Sequence, residues 1–292
     1  MGPSIDDHGA IGDGRSAALV TRDGVVDWLC WPRFDSPALF AALLVAARGG
    51  HWRLGPRGPV RTERRYLPGT NVLETRARTA EGVVVVTDFM PVHGRDDARR
   101  WLLPEHELVR VATCEAGQVE LELELVPRWD FGARPVAWGQ VAPGDLRADD
   151  GGGRLVLRST ARLEVHDGAA RARVRLAAGE SLRCSLSFAR RGPAVLVPLG
   201  AWIDDVLERT TAFWRGWSSR CRYGGPHREA VVRSALALRL LVFPPSGAIV
   251  AAPTTSLPER LGGGLNWDYR YCWLRDAALT VRALVGLGYE DG

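Results

Sequence analysis

The sequence contains no lysine; its 38 basic residues are all arginine. A phosphate-binding GxxxxGK[ST] loop is therefore excluded outright. An all-arginine set reads as codon bias in a GC-rich genome. Nucleic-acid binding would cluster the arginines on one face, whereas here they alternate with acids, as in "LRADDGGGRLVLRSTARLEVHDG", the pattern of a solvated sheet. No run approaches the roughly 18 apolar residues of a membrane span. The N-terminus "MGPSIDDHGAIGDG" lacks the basic and apolar regions of a signal peptide, so a cytoplasmic location is expected. Cysteine is sparse: Cys30, Cys114, Cys184, Cys221 and Cys272 show neither CxxC nor Cys/His ligand spacing. No zinc site or disulfide framework is indicated, and each is expected as a buried free thiol. The six histidines are scattered, so no metal site or cofactor is expected, and His8 reads as part of a polar N-terminal arm. "IGDGRSAA" puts Ala17 where a dinucleotide fingerprint needs its third glycine. GxSxG, HExxH and EF-hand patterns are absent.

What is present is ordinary globular composition, 292 residues with 46% hydrophobic and 25% charged, long enough for two domains. From about residue 10 to 190 the chain reads as short strands. Asp23-Gly24, Glu81-Gly82, Gly117, Asp167-Gly168 and Gly179-Glu180 supply the turns between apolar runs. "VELELELV" alternates at period two, one face buried and one wet. The tract Asp149 to Gly153 is a loop. Many short strands at this spacing predict an antiparallel β-sandwich.

After Gly192 the period lengthens. Trp202, Val206, Phe213, Trp214 and Trp217 recur at helical intervals behind two acids, predicting a linker helix. His227 to Phe243 predicts a second helix, stopped by Pro244-Pro245. "DAALTVRALVGLGY" predicts a third, apolar on most of its circumference. Such a helix needs burial, and few residues remain to bury it, so a second domain cut short is expected.

The stretch "NWDYRYCWLRDAAL", Asn266 to Leu279, carries the chemistry. A pyranose presents C–H bonds on its face and hydroxyls on its rim. Aromatic rings meet the first, and planar charged groups hydrogen-bond the second. Tyr269, Trp273, Arg275 and Asp276 offer that combination at a helix entrance. The same residues also fit an ordinary acidic helix start and an aromatic core rim. Asp268 and Asp276 are candidates for a catalytic carboxylate pair, which would need about 5–9.5 Å between them.

Three blocks near the N-terminus, Ile11 to Leu44, "RYLPGTNVLETR" and "VTDFMP", resemble family 15 of the glycoside hydrolases, the bacterial trehalase and glucoamylase-like group. "GAIVAAPTTSLPERLGGGLNWDYRYCWLRDAALT", Gly247 to Thr280, resembles that family's entry into its catalytic domain. The resemblance implies a mixed, multidomain fold: an N-terminal antiparallel β-sandwich over 1–195, a linker helix over 196–224, and over 225–292 the first helices of a truncated (α/α)6 toroid. It implies an inverting hydrolase releasing glucose from trehalose or α-1,4-glucans such as maltooligosaccharides. Arg275 and Asp276 would hold the rim hydroxyls of a terminal glucose, with Trp273 and Tyr269 lining the pocket. The glutamic acid and glutamate that such a reaction uses are expected beyond Gly292, so the 292-residue chain is expected to be inactive alone. The alternative is a non-catalytic carbohydrate-binding or assembly module.

Overall fold

A computed structural model of the chain describes residues 4–58, 60–92, 104, 106–150, 152–190, 198–257 and 262–290. His93 and the expected boundary at 195/196 lie outside them.

The β part is organised around one strand of 21 residues, His106–Val126. Its first half pairs with Gly82–Phe89 on one side and Ser181–Ala189 on the other. Its second half pairs with His51–Pro56 and Ala169–Ala177. The first sheet continues outward through Leu73–Arg78 and Arg61–Tyr66, and through Arg154–Ser159, Asp145–Asp149 and Gly139–Ala142. The second continues through Val25–Cys30, Ala17–Val20 and Gly9–Gly12, and through Glu164–His166. All these pairings are antiparallel, and the result is the expected β-sandwich. Trp52, Leu54, Leu121, Leu123 and Leu125 from one sheet pack against Val84, Val86, Leu108, Leu155 and Leu186 from the other.

The Asp23-Gly24, Glu81-Gly82 and Asp167-Gly168 turns are found where expected, the last with both residues at positive φ (51° and 74°), as a primed hairpin turn requires. Gly117 is different. No turn forms there; the strand continues through a bulge between Val83 and Val84 of its neighbour and passes from one sheet to the other. Gly117 has φ 67°, and a Cβ there would collide with the Glu81 carbonyl oxygen, so the crossing demands glycine. The "VELELELV" alternation is realised: Val119, Leu121, Leu123 and Leu125 are buried. Glu122 and Glu124 instead meet Arg53, Arg171 and Arg173 on the wet face.

Arg110 joins the sheets from inside. Its fully buried guanidinium donates to Asp88 Oδ1 at 2.8 Å, the Trp52 carbonyl at 2.7 Å and the Gly24 carbonyl at 2.9 Å. The Trp52 ring lies 5.3 Å away.

Three helices follow: α1 (Ala201–Ser218), α2 (Arg228–Leu240) and α3 (Leu274–Gly286). The buried stripe of α1 runs Ile203, Val206, Thr210, Trp214, Trp217. Phe213 is exposed, because the 100° step per residue carries it to the edge of that stripe, and Trp202, half-buried beside Arg209, packs against the cluster of Ile203 and Val206. Helix α2 ends at Leu241, and Val242–Phe243 then pairs with Ala248–Ile249 around the diproline. Helix α3 is held at its far end, where Tyr289 stacks on Trp217 with centroids 4.0 Å apart. Of its own residues only Leu284 is buried; Leu274, Leu279, Val281 and Val285 are exposed.

Two other expectations are corrected. His8 is no solvated arm: its imidazole is buried and bonded to Asp27 at 2.8 Å, with its other nitrogen 2.9 Å from the Ser4 carbonyl. Cys272 is exposed while the other four thiols are buried, since its segment lies at the surface.

Replacing Arg110 with Met leaves Asp88 a buried, unpaired carboxylate, a loss expected to cost about 3–5 kcal/mol; urea unfolding at neutral pH measures it. The hydrogen bond that His8 donates to Asp27 raises the His8 pKa above 6.5, burial pulling the other way. Stability from this pair is therefore full below pH 6.5 and declines as pH rises through the raised native value. Melting curves from about pH 5.5 to 8.5 should show His8→Gln trailing the wild type most at the acid end. A gap independent of pH would rule this out.

Candidate functional site

The aromatic stretch before α3 is shaped by backbone pairing. Ala252 N–H donates to the Tyr269 carbonyl at 2.8 Å and Ala251 N–H to the Tyr271 carbonyl at 3.1 Å. Val250 and Cys272 form an antiparallel bridge. The segment turns at Tyr269-Arg270 and bends at Tyr271 before the bridge at Cys272, and α3 begins immediately after Trp273, whose backbone is extended (φ −100°, ψ 123°).

Arg270 fixes this segment to the sandwich. It is buried, and its Nη1 donates to the Ser36 carbonyl at 2.7 Å and the Phe34 carbonyl at 3.3 Å, and lies 3.6 Å from Cys30 Sγ. Its guanidinium lies 5.3 Å from the Phe131 ring centroid. Its charge is matched by Asp268, which accepts from Nε and Nη2 at 2.7–3.2 Å and from the Arg270 backbone N–H at 3.1 Å. Burial opposes ionisation of both groups, but these hydrogen bonds prevail: Asp268 is held below the usual carboxylate range and Arg270 above its ordinary value. Burial also pushes the Cys30 thiol up to about 12, Arg270 pulling the other way. A parallel tie comes from Trp28, whose indole N–H donates to the Pro253 carbonyl at 2.9 Å.

Asp268 in turn places Trp273: its carbonyl accepts the Trp273 indole N–H at 3.2 Å. Trp273 then meets Tyr269 (centroids 5.5 Å apart, planes tilted 35°) and Trp267 (6.4 Å, 79°, edge to face). Tyr269 and Trp273 are half-buried and Trp267 is exposed. The expected site residues thus fall into two adjoining pairs. Tyr269 and Trp273 are in ring contact. Arg275 and Asp276 lie in the first turn of α3, with 3.4 Å between Nη2 and Oδ2. Arg275 is exposed; Asp276 Oδ2 is buried without a hydrogen-bond partner, an acceptor available at a helix start where backbone N–H groups are also free.

Of the suggested catalytic pair, Asp268 is already committed to Arg270 on both oxygens and kept ionised, the wrong state for a general acid. Arg270 itself is the residue that sequence reasoning left without a role. The local clue is the Asp-x-Arg spacing; its other partners stand 234 and 236 residues away. Among the described residues no group of three or more His, Cys, Asp or Glu side chains is arranged to hold a metal ion.

The sandwich thus carries an aromatic and charged loop at the head of a helix. Residues 1–185 match the family described as trehalase-like, N-terminal, and residues 225–292 match glycosyl hydrolases family 15. The chain belongs to the trehalase-like, N-terminal family, which its model matches over more than half of the chain, and α1 lies between the two matched stretches. It is similar to the trehalase of Mycolicibacterium smegmatis, 37% identical over 309 aligned positions. It is also similar to those of Mycobacterium tuberculosis (34%) and Thermoplasma volcanium (32%). Each alignment covers 99% of this chain and 45% of the relative, so the chain spans somewhat under half their length.

Substituting Arg270 by Lys keeps the charge but loses the planar fork. It is expected to lower stability by about 1.5–3 kcal/mol and to weaken the near-ultraviolet dichroism of the Trp267–Trp273 pair. An unchanged spectrum would show that the loop holds itself.

Proposed function

We propose that residues 1–292 form the sandwich and one wall of the glucose pocket of an inverting glycoside hydrolase that acts on trehalose in the cytoplasm. The observation that carries this reading is the similarity to trehalases along 99% of the chain. The division on this reading is a sandwich over 1–195, a linker helix over 196–224 and, over 225–292, the opening helices of an (α/α)6 toroid.

The chemistry assigned to the loop follows from its geometry. Trp273, steadied by the Asp268 carbonyl and by Tyr269, presents an apolar ring to the C–H face of a glucose unit. Arg275 donates to its rim hydroxyls, and Asp276 Oδ2, ion-paired with Arg275 but without a hydrogen bond, accepts from them. These contacts bind and orient; they transfer no proton. Inverting hydrolysis needs an acid and a base about 6.5–9.5 Å apart with a water between. In the described part of the loop the carboxylates are Asp276, assigned to the sugar, and Asp268, held by Arg270. On this reading both catalytic carboxyl groups lie outside residues 1–292, and this chain alone turns over no substrate. Trehalose is preferred to maltooligosaccharides on the strength of the relatives.

The test is hydrolysis of trehalose and of maltotriose by the protein expressed from the gene together with the coding sequence downstream. Trehalose should be the better substrate, and Asp276→Asn or Trp273→Ala should lower kcat/KM by about 10- to 100-fold. Equal turnover by wild type and both variants, or cleavage of maltotriose alone, would overturn the assignment.

A further inference from the structure

On the sandwich, separate from the Tyr269–Trp273 pair, the side chains of Trp31, Trp129 and Phe188 line an open cleft of about 170 Å³. Asp130, Asp150 and Arg190 stand in its wall. We propose that this cleft is a second sugar subsite, taking one neutral hexopyranose unit.

The size sets the first limit. At about 170 Å³ it falls below the roughly 300 Å³ at which pockets for drug-sized ligands begin, which suits a single ring with part of it in solvent. The chemistry sets the second. Trp31 and Phe188 are stacked, with centroids 6.3 Å apart and planes 30° from parallel, and Trp129 is half-buried against the core. Trp31 and Phe188 are almost wholly buried and form the floor of the cleft, so Trp129 offers the apolar face of the kind that C–H bonds of a pyranose meet. The polar complement is a pair of carboxylates gripped by one guanidinium. Arg134 donates from Nε and Nη2 to Asp130 Oδ2 at 2.9 and 2.6 Å, and from Nη1 and Nη2 to Asp150 at 2.6 and 2.9 Å. Asp130 Oδ1 takes part in none of these bonds. Two Asp set against Arg134 and Arg190 leave no net charge, so a hydroxyl-rich neutral ligand is favoured over an anion.

A third observation is independent of the side chains. Asp130, Phe131 and Gly132 follow one another at φ 54°, 57° and 93°. Left-handed backbone at two consecutive non-glycine residues is strained, by about 1–3 kcal/mol each, and such strain concentrates at ligand sites. The same three residues put Asp130 into the cleft and Phe131 against Arg270. The subsite therefore adjoins the anchor of the Trp273 loop. Only the choice of glucose-containing probes rests on the trehalase-like reading; the cleft's chemistry stands without it.

The experiment is isothermal titration of the 292-residue chain with trehalose and with maltotriose, alongside Trp129→Ala, Asp130→Asn and Trp273→Ala. Far-ultraviolet dichroism verifies folding, and Asn at position 130 tolerates the left-handed backbone. Millimolar binding is expected for the wild type, weakened about tenfold or more in Trp129→Ala and Asp130→Asn. Binding that is lost in Trp273→Ala but unchanged in the other two overturns the second subsite while leaving the assignment of the loop intact. Absence of binding by the wild type to either sugar overturns it as well.

Discussion

One strand belongs to two sheets, and the rest of the molecule is arranged around that constraint. His106–Val126 supplies hydrogen-bond partners to four neighbours, two in each layer, so the layers cannot slide relative to each other without breaking its ladder. The crossing at Gly117 needs a backbone that residues with a Cβ adopt poorly. Just inside it, Arg110 draws on Asp88 from one layer and the Trp52 and Gly24 carbonyls from the other. Alternating leucines make the core; the shared strand and the buried guanidinium set how the two faces meet.

The sandwich then serves as a fixture for a loop that belongs to the helical part. Arg270 reaches from the loop into the surface formed by Cys30, Phe34, Ser36 and Phe131, and carries its own counterion, Asp268, with it. The pair is therefore internally neutralised, and its desolvation is offset by hydrogen bonds on both sides. What remains exposed is the aromatic edge of Trp267, Tyr269 and Trp273. The polar groups that anchor the loop are used up in anchoring it, and those left for a ligand belong to the first turn of α3.

Much of this was legible in the chain, and the division between what was and was not follows sequence distance. Hairpins at Asp23-Gly24 and Asp167-Gly168 depend on a few adjacent residues and are found as expected. Gly117 carries the same local signal, yet the outcome is a sheet crossing, because the partners that decide it, Gly82–Phe89 and Ala169–Ala177, come from elsewhere. Periodicity placed α1 but also drew in Phe213, which is exposed, since large apolar residues also sit at a helix surface when no other element covers them. His8 looked solvated because Asp27 is 19 residues away. In the loop, the crowd of aromatics was readable as ligand chemistry, whereas the task of Arg270 was hidden: carbonyl acceptors contributed by Phe34 and Ser36 have no side-chain signature at all.

The tie between Arg270 and Ser36, and that between Trp28 and Pro253, span 234 and 225 residues. Contacts of such separation close only after the intervening chain has collapsed, and they are slow to form. During synthesis the strands that carry Trp28 and the residues around Ser36 leave the ribosome first, so the loop of Arg270 meets its acceptors only once more than two hundred further residues have followed.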